Sequence, residues 1–262
     1  MSLKTRFDLV IFDWAGTMVD FGCMAPVRAL IDAFAQEGVE IHEIAARRDM
    51  GKAKADHVRS MLEHPDVEAA WRARHGRTPT ERDLESLMGR LGPLMREHAA
   101  RAATLIPGAL ATFERVKAAG LRVGSSTGYT SEMMKPVLAQ AAEQGYTPDH
   151  VVCAGETLAG RPSPLMIYKA CLDLGVWPLG RVVKVDDAAA GIAEGKSAGA
   201  FTVAVATGNA LGLSLEAFEA LSPMERAHRI EAARHALQAA GADLVLDSVA
   251  ELVPALEMAV RA

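Results

Sequence analysis

The chain is poor in several things, and each shortage closes off a class of protein. Its 262 residues hold only three cysteines, Cys23, Cys153 and Cys171, too few and too scattered for a disulfide framework or a zinc site. No apolar stretch approaches the roughly 18 residues that a membrane-spanning helix needs, so no membrane partner is expected. There is no basic run and no stripe of interleaved basic and aromatic residues. With a net charge of −5 and a pI near 5.9, nucleic acid is not the expected partner. The first apolar run carries Asp8 and Asp13, which is not the pattern of a secretory leader, and a reducing cytoplasm is the expected setting. Internal repeats and low-complexity tracts are absent as well.

What remains is a chain half apolar and 23% charged, the composition of a globular protein large enough to bury a sizeable core. The segment FDLVIFDWAGTMVD, residues 7–20, organises it. Phe7, Leu9, Val10, Ile11 and Phe12 form a short apolar run whose length suits a strand buried on both faces. Asp13 ends that run, where open α/β sheets place their ligands, although a strand-ending aspartate can equally be a helix cap. Helical spacing then dominates, at 26–38, 42–49, 53–63, 66–75 and 81–103, with Pro and Gly turn signals between. The next strand pattern is 121–126, more than a hundred residues after the first. A crossover between parallel strands needs only one helix, so this stretch reads as an inserted helical cap domain over 22–103. From 108 onward the alternation is regular: helix 108–119, strand 121–126, helix 131–144, strand 150–153 and helix 163–175. Strand 181–185, helix 188–199, strand 201–206, a long loop, helix 223–240, strand 243–246 and helix 248–260 follow. The expectation is an α/β fold, a Rossmann-like parallel sheet over 1–21 and 104–262 with the helical cap inserted.

Three further strand ends or loops carry polar groups. Ser125-Ser126-Thr127-Gly128 offers hydroxyls and backbone N–H groups at the start of a helix, suited to an anion or simply to capping. Asp186-Asp187 presents adjacent carboxylates, and Arg161 stands ready to neutralise phosphate oxygens or to serve as a surface cation. Taken together, carboxylates from separate strand ends suit Mg²⁺, and a nucleophilic carboxylate, a hydroxyl and a cation complete the needs of phosphoryl transfer.

DWAGT at 13–17, SSTG at 125–128, GRPSP at 160–164 and VDD at 185–187 resemble, in order, the four motifs of the haloacid dehalogenase superfamily. The resemblance implies that Asp13 attacks phosphorus, that Thr127 and Arg161 hold the phosphoryl group, and that Asp187 holds the metal. Two departures stand out. Phosphatases of the superfamily usually carry a second acid two residues after the nucleophile to protonate a leaving alcohol; here the residue is Ala15. Relatives also often place an acid four residues after the motif-four aspartate, where this chain has Gly191, so the metal shell leans on waters or on Asp186.

The cap segment RRDMGKAKADHVRSM, 47–61, holds two of the eight lysines, Lys52 and Lys54. Lys54 and His57 share a helix face, and a position at the helix start together with burial disfavours the charged amine. A neutral amine could form an imine, an electron sink that needs no acid at position 15; equally, both lysines could be solvated cap charges. DWAGTMVDFGCMAPV, MGKAKADHVR, GSSTGYTSEMM and AGRPSPLMIYKA closely resemble the phosphonatase family within that superfamily. That resemblance implies hydrolysis of the carbon–phosphorus bond of phosphonoacetaldehyde, a small phosphonate, through a Schiff base on Lys54 and an aspartyl-phosphate on Asp13. It implies Mg²⁺ held by Asp13, the Ala15 carbonyl and Asp187. It further implies that His57, Cys23, Met50, Gly51 and Tyr129 lie near the substrate, with Cys23 and Met50 equally readable as packing, and that the chain is a homodimer through the cap. The alternatives are a Mg²⁺-dependent phosphate monoester hydrolase of the same fold, a dehalogenase, or a non-catalytic phosphate-binding relative.

Overall fold

A computed structural model describes residues 3–261; residues 1, 2 and 262, the extreme ends of the core range read from sequence, lie outside it. Strand β1 (Leu9–Phe12) is buried along its whole length. Its side chains alternate between two apolar clusters, Val10 and Phe12 in one and Leu9 and Ile11 in the other. Successive residues of a strand point to opposite faces, so a strand covered on both sides must be apolar throughout.

Six helices stand between β1 and the next strand, and the first five are α1 (Met24–Gln36), α2 (Glu43–Arg47), α3 (Lys54–Leu62), α4 (Pro65–His75) and α5 (Glu81–Ala102). Helix α1 packs chiefly on α5, and α3 packs on both α4 and α5. Phe34 of α1 meets Trp71 of α4 edge-on, with ring centroids 6.3 Å apart. Helix α5 begins in a capping box in which the Asp83 carboxylate accepts from the Thr80 N–H at 2.8 Å. The same carboxylate takes both ends of the Arg77 guanidinium at 2.6 and 2.7 Å. The apolar side chains of these helices, including Leu30, Phe34, Trp71, Leu87 and Met95, join the cluster under one face of the sheet. The junction runs through α5 and the core helix α7 (Ser131–Glu143).

The remainder alternates. After α6 (Ala109–Ala118) come β2 (Arg122–Thr127), α7, β3 (His150–Cys153), α8 (Leu165–Leu174) and β4 (Val182–Asp186). Then follow α9 (Ala189–Ala198), β5 (Phe201–Val205), α10 (Leu215–Glu219), α11 (Pro223–Ala239), β6 (Leu244–Leu246) and α12 (Leu252–Arg261). The six strands form one sheet in the order β3-β2-β1-β4-β5-β6, with every neighbouring pair parallel. The expected α/β fold is therefore present. The segment read as one long loop is corrected: it contains α10, a five-residue helix whose Ser214 cap accepts from the Ala217 N–H. Chain direction reverses its progress across the sheet at β1, which pairs with β2 on one side and β4 on the other. A crevice opens at such a reversal, at the carboxyl ends of the strands. Among the described residues no helix is long and apolar enough to cross a membrane.

Candidate active site

Register brings the motifs together. Phe12 pairs with Ser125 on β2 and with Val185 on β4, so the next residue on each strand, Asp13, Ser126 and Asp186, reaches the same end of the sheet. The Asp13 N–H donates to the Val185 carbonyl at 2.9 Å, which extends the ladder and fixes the carboxylate at the crevice. A small cavity there is lined by Asp13, Ala15, Cys23, Met50, Gly51, Lys54, Thr127, Tyr129, Arg161 and Asp187, among others. Ten of the eleven site residues expected from sequence thus share one cavity. His57 does not line it: its ring lies fully buried one turn along α3 from Lys54.

Each group has a defined electrostatic setting. Burial raises the Asp13 carboxyl to about 6, and Arg161, whose Nη1 lies 2.8 Å from Oδ1, opposes the rise. Thr127 Oγ1 accepts from the Tyr129 N–H at 3.2 Å, which leaves the hydroxyl proton free to donate to an anion. Asp187 accepts from Thr17 Oγ1 at 3.1 Å and from the Asn209 N–H at 2.6 Å. Burial, with Asp13 and Asp186 alongside, still pushes it well above the ordinary carboxylate range. Asp186 is the opposite case: Arg161 and Lys184 outweigh the effect of its burial and hold it low.

Lys54 is the first residue of α3 and 3% exposed. Burial lowers its amine to about 8, with Cys23 and Asp13 pulling the other way. Its Nζ sits 3.8 Å from Met50 Sδ and 5.6 Å from the centre of the Tyr129 ring. Lys52 is different, paired with Asp49 at 2.5 Å and partly exposed, as a solvated cap charge would be. Burial and the neighbouring Lys54 charge hold His57 well below the usual imidazole value, so its ring is neutral. Neither ring nitrogen makes a well-formed hydrogen bond, although the Ala46 carbonyl lies within electrostatic reach. The loop before α3 lies directly on the core. A Cβ at Gly128 would stand 2.6 Å from the Lys52 carbonyl oxygen and 3.0 Å from that of Gly51, so only glycine permits this approach.

One part of the site was not visible in the motifs. Lys184 and Glu194 are fully buried behind the cavity with Ser126. Lys184 Nζ contacts Asp186 Oδ2 and Ser126 Oγ, each at 2.9 Å, and Glu194 Oε2 takes Arg161 Nε at 2.9 Å and Ser126 Oγ at 3.0 Å. Arg161 Nη2 also reaches the Ser126 carbonyl. The available signal was Lys184 itself, a charge set between Val183 and Val185 in a buried strand; a buried charge implies a partner. Glu194 carries no such signal in its helix.

A metal ion fits this donor set. Oxygen atoms of Asp13, Asp186 and Asp187 lie within 4.8 Å of one another and all three residues are buried. Counting Glu194, four buried carboxylates face three buried basic side chains, Arg161, Lys184 and Lys54, still an excess of acidic groups that a hard divalent ion on oxygen ligands would neutralise.

Comparison with known proteins agrees with this geometry. A family model described as haloacid dehalogenase-like hydrolase matches residues 7–199. The phosphonoacetaldehyde hydrolase of Paraburkholderia phytofirmans is 44% identical over 246 residues, 94% of this chain and 92% of that one. Its namesake from Bacillus cereus is 38% identical over 253 residues, 96% of each chain. A solved structure of a phosphonoacetaldehyde hydrolase like protein from Oleispira antarctica superposes with a TM-score of 0.96 at 40% identity, covering 98% of this chain and 93% of that one.

Proposed function

The chain belongs to the haloacid dehalogenase-like hydrolases and, within them, to the phosphonoacetaldehyde hydrolases; from that premise we propose that it hydrolyses the carbon–phosphorus bond of phosphonoacetaldehyde to acetaldehyde and phosphate by way of a Lys54 imine. The observation that carries the mechanism is a buried lysine of lowered basicity in the same cavity as Asp13, opposite a position, Ala15, that offers no acid.

The steps follow from these groups. Neutral Lys54 Nζ adds to the aldehyde carbon, and loss of water with uptake of one proton leaves an iminium β to phosphorus; that proton is returned when the final hydrolysis releases the lysine. The Asp13 carboxylate attacks phosphorus while Arg161 and the Thr127 hydroxyl hold the phosphoryl oxygens. The electron pair of the breaking carbon–phosphorus bond flows into the iminium and gives a neutral enamine, so no leaving oxygen has to be protonated. Water then cleaves the aspartyl-phosphate. Protonation of the enamine at carbon regenerates an iminium, whose hydrolysis frees acetaldehyde and the lysine. The consumption of one water overall balances the reaction. Mg²⁺, held by Asp13, the Ala15 carbonyl and Asp187, would supply charge neutralisation at the phosphoryl oxygens. In this reading the helices α1–α5 act as a cap domain spanning 22–103, with Cys23, Met50, Gly51 and Tyr129 shaping the aldehyde end and His57 supporting Lys54 from behind. The cap also carries a homodimer contact, which sedimentation equilibrium measures directly.

Borohydride trapping tests the mechanism. Protein incubated with phosphonoacetaldehyde, reduced and digested should carry its adduct on the peptide containing Lys54. Active protein with no adduct there would point instead to a phosphate-ester hydrolase in which Lys54 only binds charge.

A further inference from the structure

Helix α9 carries a glycine that its backbone does not require. Gly191 lies in the first turn in ordinary helical conformation, where glycine is destabilising relative to alanine. What excludes a side chain is one group. A Cβ at position 191 would stand 1.9 Å from Asp186 Oδ2, 2.0 Å from its Cγ and 2.4 Å from its Oδ1. The three nearest atoms all belong to the Asp186 carboxylate. Positions 186 and 191, on a strand end and a helix, therefore compete for one volume.

The occupant of that volume has a definite task. Asp186 is fully buried and does not line the cavity, so it does not touch the substrate. Its Oδ1 accepts from the Ala188 N–H at 3.1 Å, and its Oδ2 lies 2.9 Å from Lys184 Nζ and 3.3 Å from Arg161 Nη1. The same Nη1 is 2.8 Å from Asp13 Oδ1. Arg161 is thus held between the nucleophile on one side and Asp186 on the other, with Glu194 fixing its Nε. The carboxylate in that space balances Lys184 and aims Arg161, and a side chain at position 191 would enter the same space.

We propose that Asp186 is a positioning residue that fills, from the end of β4, a single carboxylate space that an aspartate at position 191 could fill from α9, and that this chain keeps Gly191 because the space is already taken. The assignment rests on the reading of Arg161 as the phosphoryl-binding cation. It predicts reciprocal suppression: one acid at either position serves, none or two do not.

The experiment compares the native protein with Asp186→Gly, Gly191→Asp and the double variant. It reads melting temperature of the metal-free protein and kcat/KM on phosphonoacetaldehyde. Removing one member of a buried charge network should lower kcat/KM by about a hundredfold, and Gly191→Asp alone should also lose activity and melt lower. The double variant should regain at least about tenfold over Asp186→Gly and melt above both single variants. Losses that simply add, in melting and in activity, overturn the proposal. Asp186→Asn guards against a misfolded glycine variant, because it keeps the shape and removes the charge. Its kcat should fall about a hundredfold with KM changed less than about threefold, since Arg161 acts on the transferring group; an unchanged kcat overturns the assignment. Were the native protein inactive on this substrate, the functional reading would fail, while the melting cycle would still decide between one shared space and two independent positions.

Discussion

Lys54 is a base that the fold makes weaker, and two measurable consequences have opposite signs for activity and stability. With an amine near 8, about a tenth of the protein carries the nucleophilic free base at pH 7. The ordinary lysine value would leave less than about a thousandth. Asp13, at about 6, is ionised over the same range. The rate constant kcat/KM should therefore rise with pH from 6, gain up to roughly tenfold between pH 7 and 9, and then level. A pH–rate profile that is flat across 7–9 would remove the free amine from the rate equation. For stability, the unfolded lysine holds its proton up to about 10.4, whereas the folded one releases it near 8. Between those values the unfolded state binds more protons, so stability rises with pH and the full penalty applies below 8. That penalty is of order 3 kcal/mol. Lys54→Met should abolish turnover yet melt several degrees higher than the native protein at pH 7, with the difference shrinking by pH 9.5. Paired calorimetric melts at the two pH values check it.

At the scale of elements, the contact between the segment preceding α3 and the loop after β2 sets the geometry of the site. Gly128→Ala puts a methyl group against the Lys52 and Gly51 carbonyls, so the segment carrying Lys54 must lift away from Asp13. The expected result is a loss of about tenfold or more in kcat/KM, with a melting temperature close to native. A contrasting change is Asp83→Ala, which strips α5 of its capping box and Arg77 pair far from the cavity. It should lower stability by about 1–2 kcal/mol and leave kcat untouched, as denaturant titration and steady-state assays would show. The elements themselves were readable because their signals are local. Leu9–Phe12 is buried on both faces and so is apolar throughout, and the helices between β1 and β2 were foreshadowed by an overlong gap between two strand patterns. Helix α10 was not readable, since five residues are too few for a helical period to show. Within the site, Asp13, Thr127 and Asp187 were readable as polar groups at strand ends and Arg161 as a loop cation, in motif order. The Lys184–Ser126–Glu194 network was not, because its members converge from two strands and a helix and meet only after folding. The clash between positions 186 and 191 is likewise a fact of three dimensions, invisible in their spacing.

At the scale of the molecule, the active site is shut. Its cavity holds about 20 Å³, room for little more than one water, whereas the substrate carries a phosphonyl group and two carbons. Substrate entry therefore requires that part of the α1–α5 segment move. The two sides of that segment are not equally free to do so. Through α5 it shares a continuous apolar cluster with α7 of the core, and separating that contact would expose large side chains. Beside the cavity, where Met50 and Cys23 also pack, the polar contacts are mostly long: Arg161 Nη1 to the Gly51 carbonyl at 3.5 Å, and Asn209 Nδ2 to the Arg47 carbonyl at 3.5 Å. Arg47 also reaches Asn209 Oδ1 at 3.3 Å and the Gly212 carbonyl at 3.4 Å. Polar groups released there can bond to water, so this side opens at little penalty while the α5–α7 side holds as the pivot. Hydrogen exchange should accordingly find the amides of 47–54 opening faster than those of α5 in the free protein. Mg²⁺ with inorganic phosphate, which Asp13, Asp187 and Arg161 would hold, should slow 47–54 selectively by about tenfold or more. Equal exchange in both segments, unaltered by these ligands, would mean that entry uses a different route and that the loop before α3 is not the gate.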